Sequence, residues 1–404
     1  MYDSDIPGDN SPGKSKMCRC KIPLARLWAM ASAAMGFFCF MTAGLRCDAQ
    51  DNWNNRGTFS NLFFVGITHG NGLFVAVGYE NKGGAANAGA IMTSPNGIAW
   101  TRHDPGTADD LRSVTWGDGM FVAVGSLGRI LTSADGVNWV HRNNDAFYTL
   151  NGVAYGNGRF VAVGENANVQ TSSNGTNWTS RNLGTFDLLA VCYGNGLFTA
   201  VGASGAILIS ADGLSWRRPE SGTRNSLYGV ASGKGLFVAV GAFDPQTLQS
   251  SVLSSGDGIH WTSRTVPGNQ YLFAVAYGNN VFAAVGDAGS VFTSFDGLNW
   301  TEDAVDTQRY LLAVAYGDFT FVAAGDETVI QSNPFTSLQV RRSGFAELII
   351  TGPVGRSYDI HVADTLPNGW RFVGTVTATS SPYSWIDAQS LNAPTRFYRT
   401  FIRP

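Results

Sequence analysis

One phrase recurs along the chain and leaves it few folds. An apolar strand ends in Gly, a short turn follows, a second apolar strand ends in Gly, and a third strand leads through another turn to Trp. In one copy Leu150 to Gly156 meets the turn Asn157 and Gly158, a second strand ends at Gly164, and Thr171 to Gly175 leads to Trp178. The first turn glycines are Gly70, Gly117, Gly156, Gly194, Gly233, Gly278 and Gly317, seven copies spaced 47, 39, 38, 39, 45 and 39 residues. Six tryptophans keep step: Trp100, Trp139, Trp178, Trp216, Trp261 and Trp300. A fixed period of this length marks an architecture of stacked units, each covering its neighbour's apolar face.

The last two strands of each copy are joined by Asn96 and Gly97, Asp135 and Gly136, Asn174 and Gly175, Asp212 and Gly213, Asp257 and Gly258, or Asp296 and Gly297. Asx-Gly between apolar runs signals an antiparallel hairpin, because both positions are expected at positive φ. The units are therefore meanders, not coils of a parallel β-helix. Four antiparallel strands in about 40 residues, repeated, predict a β-propeller. Composition agrees: 49 Gly and only 14% charged residues suit an all-β chain and exclude disorder or a coiled coil. Trp53 to Arg56 resembles the closing strand of a copy, yet it precedes the first hairpin, while the seventh copy breaks off near Ser332. The expectation is seven blades over residues 50–336, closed into a ring by the N-terminal strand, which pairs with residues 327–332.

Residues 1–49 read as a secretory signal. Five basic residues between Lys14 and Arg26 precede an uncharged run from Leu27 to Leu45, and Ala49 supplies a small residue before a cleavage point. Met17 is an alternative start, and an uncleaved leader would act as a membrane anchor. Four of the five Cys lie in this leader, which leaves Cys192 alone and excludes an internal disulfide. Removing the leader's +2 and the +3 of residues 337–404 from the net −3 leaves the repeats at −8, which argues against nucleic acid. Residues 337–404 alternate strands with turn residues and predict a small Ig-like or fibronectin-like β-sandwich.

Ser133, Asp135, Gly136 and Trp139 form a motif that resembles the Asp-box, or neuraminidase-type, repeat, shortened by one residue between Asp and Gly. Ser210 to Trp216, Ser255 to Trp261 and Ser294 to Trp300 repeat it. Propellers of that family include sialidases, xyloglucan hydrolases, photosystem II assembly factors and sorting-receptor domains. The resemblance implies that Asp135, Asp212, Asp257 and Asp296 brace turns on the rim. Thr351 to Gly355, Tyr358, Trp370 and Arg396 to Arg399 resemble a C-terminal module on exported proteins of Verrucomicrobia-like bacteria, which implies export from a bacterium.

Function is expected on the face carrying the second-to-third-strand loops and the blade-to-blade loops. Two loops there are long, Tyr79 to Gly89 and Ala242 to Ser250. Directly after the second-strand Gly stand three acids, Glu165, Asp287 and Asp326, which are the carboxylates available for glycoside hydrolysis. Arg112, Asn151, Tyr228 and Phe273 begin inner strands and would line a central opening. Tyr148, Arg224, Tyr271 and Tyr310 join them from the blade-to-blade loops, a mixture suited to carbohydrate or peptide. The His residues lack ligand spacing, and no nucleophile elbow or phosphate loop occurs, so neither metal nor cofactor is expected. Arg102, Arg142, Arg181, Arg218 and Arg264 follow the blade Trp and read as a solvated rim. The expected function is an exported, non-catalytic scaffold binding extracellular glycan or protein, with a sialidase-like or xyloglucanase-like glycoside hydrolase as the alternative.

Overall fold

The computed structural model describes residues 53–83, 87–142, 147–244 and 247–332, and, further on, 337–343, 345–351, 357–363, 371–379, 383–387 and 397–402. The expected signal peptide, the cleavage point near Ala49 and the alternative start at Met17 lie outside these residues. The chain divides into a large unit, Asp51–Phe335, and a smaller one that includes Thr336–Pro404.

The large unit is an all-β propeller. Each copy folds as an antiparallel meander, for example Leu111–Gly117, Met120–Gly125, Ile130–Ser133 and Val140–Arg142 in order from inside to outside. The second strand is a continuous apolar run because neighbours cover both of its faces; Phe121, Val122, Ala123 and Val124 are all fully buried. The apolar clusters span blades: Trp178 packs against a cluster that joins Val122 and Val124 of the preceding copy to Phe160 of its own. Burying a Trp or Phe in this way removes roughly 150–250 Å² from water, worth about 4–6 kcal/mol each before entropy.

Among the described residues the hydrogen-bonded sheets of this unit number six, which corrects the expected seven separate blades. Five are ordinary, and the sixth is double, with six strands. The cause is one continuous strand, Trp53–Gly70. Its first part pairs with the end of Thr320–Ser332, Trp53 opposite Ser332 and Asn55 opposite Ile330. Its second part pairs with Leu73–Glu80. The first and last copies of the repeat are thus fused into one sheet. The innermost strands of all the copies still contact one another in a closed cycle, in which Leu311–Gly317 meets the strand Trp53–Gly70.

Closure leaves a polar signature. In the copies ending at Trp100, Trp139, Trp178, Trp216 and Trp261, the indole N–H donates to the carbonyl of the turn Gly three residues earlier. Trp53 donates instead to Asp303 Oδ2, at 3.2 Å, on the outer edge of the neighbouring copy. Three residues after the Trp, the other copies carry Arg56, His103, Arg142, Arg181, Pro219 and Arg264. Arg142 and Arg264 donate across to Thr132 and Ser254. At Asp303 the polarity reverses, and the Thr293 hydroxyl donates to Oδ1 at 3.2 Å. The Arg series is therefore in part structural bracing, not only a solvated rim. Arg218 likewise lies 4.3 Å over the Phe186 ring.

The two kinds of hairpin divide the turn chemistry differently from the expectation. The inner hairpin has positive φ at both central residues, as at Asn157 (47°) and Gly158 (68°). The outer Asx-Gly hairpin needs it only at Gly, such as Gly136 (76°). There the Asx side chain acts as the brace. Asp135 Oδ1 accepts the N–H groups of Val137 and Asn138 at 2.8 Å each, and the Ser133 hydroxyl at 2.9 Å. Asp212, Asp257 and Asp296 repeat the arrangement. These donors hold the Asp135 and Asp257 carboxyls far below the usual carboxylate range, and Asp212 at about 2.

Among the described residues of the small unit, two three-stranded antiparallel sheets stand where a β-sandwich is expected. Ser337–Ser343, Phe345–Thr351 and Tyr383–Asp387 form one, and Arg371–Thr377, Ser357–Ala363 and Phe397–Ile402 the other. Leu348, Tyr358, Ile360 and Val362 share one apolar cluster.

Candidate functional site

Each innermost strand begins with the same defect. Val65, Arg112, Asn151, Leu189, Tyr228, Phe273 and Leu312 are skipped in the pairing with the second strand, so each is the extra residue of a β-bulge. A bulge turns its side chain out of the regular alternation and twists the strand locally. All seven are partly exposed, each directly after a buried residue. The sequence singled out these positions; the backbone device that presents them shows only in the pairing register.

The aromatic members gather on one side. Tyr228 and Phe273 lie 5.8 Å apart, and Phe273 meets Tyr310 edge-on at 6.2 Å. Tyr271 lies 6.5 Å from Phe243, a residue of the long insertion that the sequence reading did not pick out as a site residue. Tyr271 and Tyr310 are 41% and 54% exposed, which leaves apolar ring surface open to a ligand. Burial, and then the nearby Tyr271, raise the Tyr228 phenol above its ordinary value, so it stays a neutral donor at physiological pH.

Arg112 lies elsewhere on this face. Its guanidinium is 3.6 Å from Asp110, and its Nε is buried with no hydrogen-bond partner. Tyr79 stacks flat on Phe63 at 5.1 Å. Its phenol is raised by burial, lowered by the Arg112 charge and raised by those of Asp110 and Asp326. The signal for Phe63 was absent from the repeat pattern, because it falls where the closing strand becomes the first inner strand. Asn151 is committed to structure, its Nδ2 donating to the Leu188 carbonyl of the next copy at 2.9 Å. Tyr148 and Arg224 are exposed on their loops and have no place in the aromatic group.

The three acids share one register and take up turn duties. The backbone N–H of each donates to the residue preceding an inner strand: Glu165 to Thr149, Asp287 to Tyr271, Asp326 to Tyr310. Glu165 Oε2 then accepts the Thr149 N–H at 3.0 Å, and Asp287 Oδ1 the Tyr271 N–H at 3.1 Å. Asp326 lies 3.8 Å from Arg309, which binds Glu327 more closely at 2.8 Å. Burial raises the Asp287 carboxyl, with backbone donors opposing it. Two of the three carboxylates thus close the loop they stand on, an arrangement suited to holding Tyr271 in place. Cys192, partly buried in an apolar cluster, has its thiol pushed up to about 12 by burial and offers no nucleophile.

No family model matches the chain, and no curated protein sequence matches it. Solved structures do. The WD40 domain of Pan2 from Neurospora crassa aligns with a TM-score of 0.53 at 13% identity, over 71% of this chain and 97% of that one. YCF48 from Cyanidioschyzon merolae aligns with a TM-score of 0.54 at 14% identity, over 70% of this chain and 98% of that one. At these identities the likeness extends to the fold, and the fold it shows is the β-propeller.

Proposed function

We propose that the protein is a non-catalytic binding scaffold whose ligand, an extracellular glycan or protein, lies on the aromatic arc of Tyr228, Phe273, Tyr310, Tyr271 and Phe243. The observation that carries this reading is the ring contacts among these residues together with the exposure of Tyr271 and Tyr310. Ring faces stack on sugar C–H groups or on apolar peptide side chains, and loops on a rigid propeller position them at low entropic cost. The use of Glu165 and Asp287 as turn braces weighs against their service as a glycosidase pair, which needs two free carboxyls flanking one bond. Export through the basic and apolar leader, with cleavage near Ala49, belongs to the same proposal, as does an Asp-box ancestry resting on the Asp135 brace.

A glycan and peptide array, run beside a panel of chromogenic glycosides, tests the reading. Binding that falls about tenfold or more in Tyr310→Ala is the expected result. Turnover of any glycoside that disappears in Asp287→Asn or Asp326→Asn would establish the hydrolase instead.

A further inference from the structure

On the rim of the copy that ends at Trp300 lies a cavity of ≈ 420 Å³, outside the aromatic arc. Its wall includes Gln270, Ser290, Glu302, Asp303, Thr307 and Gln308, with no Lys, Arg or His among its lining residues. Two of its oxygens are buried without a hydrogen-bond partner, Ser290 Oγ and Gln270 Oε1, and Ser290 is only 7% exposed. Among the described residues, no Lys, Arg or His forms an ion pair with Glu302 or Asp303. The closest basic residue in sequence, Arg309, is engaged by Glu327 and Asp326. Asp303 itself stands where five other copies carry Arg or His.

We propose that this cavity receives an alkylammonium or guanidinium group, either the head of a basic side chain on a bound polypeptide or a free diamine. The wall is rich in acceptors and doubly negative, so the complementary ligand is a cation with several N–H donors. A guanidinium donates in a fork to a carboxylate and has further N–H groups for the two orphaned oxygens. The volume falls in the range of small-molecule sites. A bare hard cation fits less well. Calcium takes about 6–8 oxygen ligands, and among the described residues no group of three or more His, Cys, Asp or Glu comes together.

Isothermal titration of the full chain with agmatine, with an acetylated Gly-Arg-Gly amide and with its citrulline counterpart tests the proposal. Saturable binding of agmatine or of the Arg peptide, but not of the citrulline peptide, is expected. Agmatine alone would identify a free small cation as the ligand, and the Arg peptide a basic side chain. Glu302→Gln and Ser290→Ala should each weaken binding measurably, and Asp303→Asn by about tenfold or more. Glu302 is exposed, so that variant reads the site without touching the Trp53 and Thr293 contacts of Asp303. Tyr310→Ala, which disables the arc, should leave agmatine binding in place and keeps this site separable from the proposed function. Equal binding of the citrulline peptide, unchanged affinity in both carboxylate variants, no binding at millimolar agmatine, or calcium binding in its stead would each overturn the assignment.

Discussion

Replacing Asp303 with Asn should stabilise the propeller at mildly alkaline pH and do little in acid. Asp303 accepts the Trp53 indole and the Thr293 hydroxyl, yet burial outweighs both and pushes its carboxyl from 3.8 up to about 6. The folded chain therefore binds this proton more tightly than the unfolded chain. The resulting stability is present in full below pH 3.8 and is lost as pH rises through 6. Between about pH 5 and about pH 8 the linkage amounts to about 1.4 kcal/mol, or roughly 1 kcal/mol after solvent screening of a partly exposed carboxyl. Asn has the same shape and keeps an oxygen for the indole N–H, so it removes the titration without emptying the site. Urea unfolding of both proteins, followed by tryptophan fluorescence at the two pH values, isolates this one group, since every other carboxyl titrates in both. The wild type should lose about 1 kcal/mol relative to the variant on going from acid to alkali. Parallel pH dependence in the two proteins would refute the reasoning, as would a variant weaker at pH 8 than at pH 5 relative to wild type.

Trp53→Ala should cost about 3–5 kcal/mol and weaken the whole propeller, because it opens the apolar cluster in which the N-terminal strand packs with the last two copies; urea titration read by circular dichroism checks it. Gly117→Ala should cost about 1–3 kcal/mol, measured as a lowered melting temperature. A Cβ there would sit 2.1 Å from the Tyr155 ring of the next copy, so an unchanged melting temperature would contradict the packing described. Asp212→Asn should lower the melting temperature at neutral pH. The deficit should close as pH falls from 3.8 through about 2, where the wild-type carboxyl loses its charge.

The propeller was legible in the sequence because its turns repeat in fixed register, and the orphan Trp53 already pointed to closure. The number of sheets was not, since nothing in residues 53–70 shows that closing strand and first inner strand run on as one. Candidate residues at the head of the inner strands could be picked by position, but a bulge is a relation between two strands and leaves no mark in the composition of one. Asn151 looked available and proved to be a brace, as its nearest acceptor belongs to the following copy. Asp303 was not singled out in the sequence. Its meaning depends on an indole from 250 residues earlier, which no local pattern encodes.

The continuous strand Trp53–Gly70 also sets a timetable for the nascent chain. Its second half can pair with Leu73–Glu80 as soon as that segment leaves the ribosome. Its first half must wait for Gln331, the partner of Arg56, 275 residues later. At about 5–20 residues per second that delay is roughly 15–55 s. Throughout it, one strand is half seated and half an open edge, the condition in which a growing chain recruits wrong partners. Moving residues 53–58 to follow Ser332 would abolish the wait, and ring closure would then follow directly on synthesis of the last propeller strand.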